Sequence, residues 1–262
     1  LQNNSIKKLT YGGLMIALVF VATAIIPQIP VPFTEGYIHA GDSMIFVAAI
    51  LLGWKYGAIA GGLGSSLADI YLGYTHWAIP TLIIKGIMGA IVGFIVKDIE
   101  EGSLAKVKKF LTVIIGGGWV FFGVALKNYL AVKLGNLQTS ELANYLVEKF
   151  DLKGISELQA LVDKVQTSLL VAIILIPLFV IVLSLILKRQ GKEMISVSNL
   201  MGMTLAGLWM VIGYYIAGGI LKGNMIVPIF SVPANILQFV GGLIIAYPVV
   251  LGLKRTKYIK NI

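Results

Sequence analysis

Trp77-Ala78-Ile79-Pro80-Thr81-Leu82-Ile83-Ile84-Lys85-Gly86-Ile87-Met88-Gly89-Ala90-Ile91-Val92-Gly93-Phe94-Ile95-Val96 is apolar except for one threonine and one lysine. It has the length, about 20 residues, at which a helix crosses a bilayer. Runs of the same kind recur along the chain, at Leu9–Ile26, Ser43–Leu52, Tyr56–Leu72, Phe110–Val132, Ser168–Leu187, Asn199–Leu221 and Pro233–Leu253. Ser43–Leu52 is too short to span by itself. Hydrophobic residues make up 58% of the chain, charged residues only 13%, and the mean hydropathy is +0.90. Soluble domains carry about 25% charged residues, so this composition is that of an integral membrane protein. Lipid offers the backbone no hydrogen-bond partners, and the runs lack the alternation of a membrane barrel. The expected fold is an all-α bundle forming one membrane domain over residues 1–262.

There are no cysteines, which excludes disulfides, thiolate metal sites and cysteine nucleophiles. The net charge of +9 does not point to nucleic acid, because the basic residues gather in short clusters at the ends of apolar runs. Lys7, Lys8, Lys55, Lys97, Lys106, Lys108, Lys109, Lys188, Arg189, Lys192, Lys254, Arg255, Lys257 and Lys260 fall on one side of the bundle. The positive-inside rule makes that side cytoplasmic, together with both termini. The first apolar run has no small-residue cleavage site and is read as a retained span. Pro27–Asp42, Gly73–His76, Lys133–Thr167 and Lys222–Val232 then face outward. Lys133–Thr167 mixes Glu141, Glu148, Asp151, Glu157 and Asp163 with lysines and spaced leucines, the pattern of an amphipathic surface piece.

The unusual residues concentrate between Gly36 and Gly93. Pro27, Pro30 and Pro32 preset an extended, semi-rigid flap that continues through Phe33, Thr34 and Glu35. The flap leads into Tyr37, His39 and Asp42, and the next outer corner supplies Tyr74, His76 and Trp77. Asn235 and Gln238 stand three apart and share a helix face near the same surface. Asp69 and Lys85 lie inside apolar runs, where an ionised group costs about 2.5–3.5 kcal/mol without a partner. Counting residues from the outer helix ends puts them at similar depth, so they are expected to form an intramembrane ion pair, with Lys85 also reaching ligand. Tyr37, His39, Asp42, Tyr74, His76, Trp77, Lys85, Asn235 and Gln238 together suit a flat polar ring, offering stacking faces and oriented hydrogen bonds.

Glycines at helical spacing, Gly53-x-x-x-Gly57-x-x-x-Gly61, Gly89-x-x-x-Gly93 and Gly213-x-x-x-Ala217, read as seams where helices approach closely. Gly61-Gly62-Leu63-Gly64-Ser65-Ser66 lacks the Gly-Lys-Ser/Thr ending of a phosphate loop and belongs to the same packing pattern. Gly118-Trp119-Val120-Phe121-Phe122-Gly123 echoes Leu208-Trp209-Met210-Val211-Ile212-Gly213, too briefly to constitute a repeat. There is no His-Glu-x-x-His zinc pattern and no Gly-x-Ser-x-Gly elbow, so nothing favours an intramembrane enzyme. No metal site and no cofactor are expected.

Three stretches carry a family resemblance: Tyr37-Ile38-His39-Ala40-Gly41-Asp42 running into Gly53-Trp54-Lys55-Tyr56-Gly57, Ala68-Asp69 through Lys85-Gly86, and Gly213-Tyr214-Tyr215 through Val232-Pro233-Ala234-Asn235-Ile236-Leu237-Gln238. Residues 9–97 and 199–253 resemble the substrate-binding S component of energy-coupling factor (ECF) vitamin transporters, most closely the riboflavin group. The resemblance implies six bundle helices and a vitamin bound from outside under the first outer loop. It also implies a transmembrane coupling subunit and two ATPase subunits as partners, in the plasma membrane of a bacterium. Gly13-x-x-x-Ala17 is the nearest match to the small-residue motif by which the family docks its coupling subunit. Residues 106–198, with the amphipathic loop 133–167, are then a helix pair inserted between family helices four and five. Riboflavin is the first substrate implied; pyridoxine or a thiamine precursor suits the same residue chemistry. A self-sufficient secondary transporter, which would want broken helices in two matching halves, is the rival reading.

Overall fold

A computed structural model of the chain describes residues 2–31, 36–101, 105–137, 140–189 and 197–254. The flap residues Pro32, Phe33, Thr34 and Glu35, and the basic residues Lys192, Arg255, Lys257 and Lys260, lie outside them. The architecture is an all-α bundle: α1 (Gln2–Ala24), α2 (Gly41–Leu52), α3 (Trp54–Tyr71), α4 (Ala78–Glu101), α5 (Ala105–Lys133), α6 (Glu141–Lys149), α7 (Ile155–Arg189), α8 (Val197–Lys222) and α9 (Val232–Lys254). Six spans among the described residues, those of α1, α4, α5, α7, α8 and α9, are long and apolar enough to cross a membrane. α2 is too short, and α3 carries Ser65, Ser66 and Asp69 on its buried face.

Gly53 separates α2 from α3 with a φ of 84°, a left-handed conformation that only glycine adopts without strain. From that corner α3 climbs against α4, and the glycine seam expected from the spacing is present. A Cβ on Gly57 would lie 2.9 Å from the Gly89 carbonyl oxygen, and one on Gly61 would lie 2.6 Å from the Lys85 carbonyl oxygen. Gly93 likewise sits against the backbone of Trp54. Backbone contact of this kind replaces the hydrophobic drive that lipid removes. Gly89→Ala, whose methyl would overlap the Gly57 carbonyl, is expected to destabilise the protein by about 1–3 kcal/mol through overpacking. Gly117→Ala, where a Cβ meets nothing within 4 Å, should not lower the melting temperature in detergent.

The amphipathic outer piece differs from its sequence reading. α6 buries Ala143 and Leu146, but the helix expected to begin at Ser168 begins at Ile155 and runs unbroken for 35 residues. Leu158, Val162, Val165 and Leu169 continue one buried stripe, and Gly154 is the last residue that stops the helix from growing toward its N-terminus. α5 and α7 pack on each other and against α8. Trp119 of α5 stacks on Phe239 of α9 at 5.8 Å between ring centroids.

The flap is a hairpin. Ile29–Val31 (β1) pairs antiparallel with Gly36–Ile38 (β2), in the register Ile29 with Ile38, Pro30 with Tyr37 and Val31 with Gly36. Pro30 accounts for the extended backbone of β1, while the partner strand Gly36–Ile38 carries no such signal in its residues.

Candidate functional site

The flap end of the bundle encloses a pocket of about 80 Å³. Its walls come from the end of α1, the hairpin, the upper half of α3, the start of α4, the end of α8 and the start of α9. A short 3-10 turn, Val227–Ser231, closes one side. Of the nine substrate residues expected from the sequence, Tyr37, His39, Tyr74, Trp77, Asn235 and Gln238 line this pocket. Asp42 and Lys85 do not line it, being fully buried behind it. His76 is exposed and is not among the lining residues, with its ring 6.1 Å from Trp77. Thr23, Ser65, Thr81, Tyr214, Lys222 and Ser231 line the pocket without having been singled out as ligand contacts. Tyr214 was visible as part of the resembling stretch, and Ser65 as part of the glycine run read only as packing.

The aromatic walls are built pairwise. Tyr37 lies 5.4 Å from Tyr74 and 5.3 Å from His39, and Trp77 lies 5.8 Å from Tyr214. Tyr37 donates its hydroxyl to Asp69 Oδ1 at 2.8 Å, fastening the hairpin to α3. Burial, then the neighbouring Asp69 charge, pushes the Tyr37 phenol well above its ordinary pKa, so it is a donor at every physiological pH. Tyr214 donates to Thr81 Oγ1 at 3.1 Å.

The expected Asp69–Lys85 pair is not formed. Lys85 Nζ instead donates to Asp42 Oδ1 in an ion pair with both side chains fully buried. Gln238 Nε2 donates to the other oxygen, Asp42 Oδ2, at 3.1 Å, and Lys85 Nζ lies 5.3 Å from the Tyr214 ring. The glycine seam explains the change of partner. Gly61 is level with both Lys85 and Ile45, so Asp42 lies three residues, about 5 Å, above Lys85, and Asp69 eight residues, about 12 Å. Desolvation reinforces the choice, since Asp42 has no exposed surface and a buried carboxylate without a cation is costly.

His39 links this pair to the flap. Its backbone N–H donates to Gln238 Oε1 at 3.3 Å, and its Nδ1 accepts from the Gly41 N–H at 3.0 Å, which places the ring proton on Nε2. Low-dielectric surroundings, then the positive charge of Lys85, lower its pKa from 6.5 to about 4, against a weaker opposing pull from Asp42. The folded protein thus holds a neutral imidazole. The stability this carries is complete above pH 6.5 and is lost as pH falls from 6.5 toward 4, where the unfolded chain takes up a proton and the folded one does not. Melts of wild type and His39→Gln are expected to diverge in that window by at most about 3 kcal/mol, wild type falling faster. Parallel curves would refute it.

The family model described as ECF-type riboflavin transporter, S component, matches residues 3–182 and 159–255. The chain belongs to that family. This S component is therefore a multi-pass membrane protein of a transporter family, not of an enzyme family. It is 36% identical to an uncharacterized protein of Pyrococcus woesei over 126 residues, 48% of this chain and 81% of the relative. It is 34% identical over 94 residues to the thiamine precursor transporter HmpT of Lactococcus lactis, covering 36% of this chain and 56% of that relative. The second alignment thus spans little more than half of its relative. Residues 9–97 and 199–253, on which the sequence resemblance rested, supply all the lining of the pocket at the flap end of this S component.

Proposed function

We propose that this S component captures a small planar vitamin or vitamin precursor at the extracellular face and delivers it through an ATP-driven ECF complex. The observation that carries the reading is the pocket itself: a slot walled by Tyr37, Tyr74, Trp77 and Tyr214, with polar groups on several helices and a hairpin over its mouth. Aromatic walls with a few oriented polar groups suit a flat heterocycle. The family description supports riboflavin, the Lactococcus relative supports a thiamine precursor, and the same slot chemistry suits pyridoxine. Asn235 and Gln238 are proposed as ligand contacts beside the aromatic set. Asp42 and Lys85 act from behind the wall by fixing Gln238 and Tyr214.

Both termini face the cytoplasm in this reading, with the flap outside, as the clustering of Lys7, Lys8 and Lys55 at the opposite end supports. The coupling subunit, itself served by two ATPases, would dock on α1. Gly13 and Ala17 are exposed there, in an open groove with Ile16, Phe20, Leu67, Ile70 and Tyr71. In the same reading α5 and α7 are an accessory pair of spans beside α1–α4, α8 and α9.

The test is direct. The full chain is purified in detergent, inspected for co-purified flavin absorbance, and titrated with riboflavin, pyridoxine and an aminopyrimidine while tryptophan fluorescence is followed. Saturable binding of one of them, and uptake that requires ATPase subunits, are expected. Failure to bind any vitamin, or transport by the chain alone on an ion gradient, would sink the reading.

A further inference from the structure

Three polar atoms bordering the pocket have no hydrogen-bond partner in the protein: Thr23 Oγ1, Ser65 Oγ and Asp69 Oδ2. Their side chains are 1%, 1% and 7% exposed, so water does not serve them freely. They converge for a structural reason. Ser65 and Asp69 stand four apart on one face of α3, and Thr23 lies one turn beyond Val19, which packs on Gly64. Buried polar atoms are almost always paired. Three orphans on one side of one pocket therefore describe what a ligand has to bring.

Their chemistry is specific. A carboxylate only accepts, whereas a hydroxyl donates or accepts. Asp69 Oδ1 already receives the Tyr37 hydroxyl, and the Thr81 hydroxyl, which accepts from Tyr214, turns its own proton toward the same carboxylate without coming within hydrogen-bond distance of Oδ2. Oδ2 is left to receive a donor from the ligand. The Ser65 or Thr23 hydroxyl, bordering the same pocket, can then donate to an acceptor further along the ligand edge.

We infer that Asp69, with Ser65 and Thr23, recognises a flat N-heteroaromatic ring bearing an exocyclic amine next to a ring nitrogen. The amine donates to Asp69 Oδ2, the ring nitrogen accepts from a hydroxyl, and the ring lies between the aromatic walls. A dione edge, as in a flavin, presents an acceptor on each side of its single N–H and so needs both hydroxyls as donors at once, whereas the amine–nitrogen edge needs only one. The inference rests on the chain's role as a vitamin-capture subunit and narrows that role to amino-heteroaromatic substrates.

The experiment uses the full-length protein in detergent and three probes. These are the hydroxymethyl aminopyrimidine that forms one half of thiamine, its oxo counterpart with a carbonyl in place of the amine, and riboflavin. Wild type is expected to bind the amine about 10- to 100-fold tighter than the oxo compound, the range for a hydrogen bond to a charged group. Asp69→Asn, which keeps an acceptor for Tyr37, should abolish that preference by weakening the amine alone. Ser65→Ala should weaken the amine by a smaller factor. If Asp69→Asn does not fold, the amine and oxo compounds on wild type still decide. Equal binding of the two, or riboflavin bound more tightly with Asp69→Asn indifferent to it, would overturn the inference and leave the vitamin-capture role standing. No binding of any of the three would overturn the inference, and no binding of pyridoxine either would overturn the vitamin-capture role as well.

Discussion

Lys85→Met is expected to be among the most destabilising single changes in the protein, costing about 3–5 kcal/mol by leaving a fully buried carboxylate without its cation. The carboxylate stranded is Asp42, since Lys85 pairs with Asp42 in the interior of the bundle. Asp42→Asn alone should cost a comparable amount by stranding the ammonium. Combining them removes both charges, and Gln238 can still bond the amide at position 42, so most of the lost stability should return. The rescue discriminates between partners. Asp69→Asn added to Lys85→Met should rescue nothing, because Asp69 is held by Tyr37 and lies about 12 Å further along the bundle. Thermal melts of the five proteins in one detergent decide it, and fully additive effects of Asp42→Asn and Lys85→Met would refute the pair.

The second large effect concerns delivery. The double variant Gly13→Leu/Ala17→Leu is expected to abolish cellular uptake while leaving ligand affinity near normal. A Cβ on Gly13 meets nothing within 4 Å, so the added side chain does not disturb the fold. It fills the open groove between α1 and α3 instead, and a partner helix that needs close backbone approach can no longer enter. The pocket lies on the other, buried face of the same helices, with Thr23 its contact on α1 and Ser65 and Asp69 its contacts on α3. Uptake assays in cells expressing the ECF subunits, beside titrations of the purified variant, check both halves. Undiminished uptake would show that this face is not the docking surface.

The spans, the glycine seam and the aromatic half of the pocket were legible in the sequence because each is a matter of composition or helical spacing. Gly57, Gly61, Gly89 and Gly93 announced a close contact by their period alone. What spacing could not supply was the register of that contact. Counting from the outer helix ends put Asp69 and Lys85 within about one turn of each other, whereas the backbone contact of Gly61 with Lys85 offsets them by about two turns and brings in Asp42. The hairpin was hidden for a related reason: three-residue strands are too short to show a period, and their pairing is a long-range fact. Ser65 and Thr23 were overlooked because single hydroxyls in apolar helices are commonplace, and only their missing partners distinguish them.

The attachment of the flap bears on how fast the site can open. The hairpin is tied to the bundle through Tyr37 on Asp69 and through the His39 backbone on Gln238. Asp42 and Lys85 hold each other below both ties. Releasing the ties swings the flap without uncovering the buried charges, so the bundle stays compensated throughout. Entry and exit of ligand are then loop motions on the nanosecond-to-microsecond scale, not the far slower separation of helices. Residence time would be set by the contacts a ligand adds within the pocket, leaving the helices themselves free to move only when a partner acts on them.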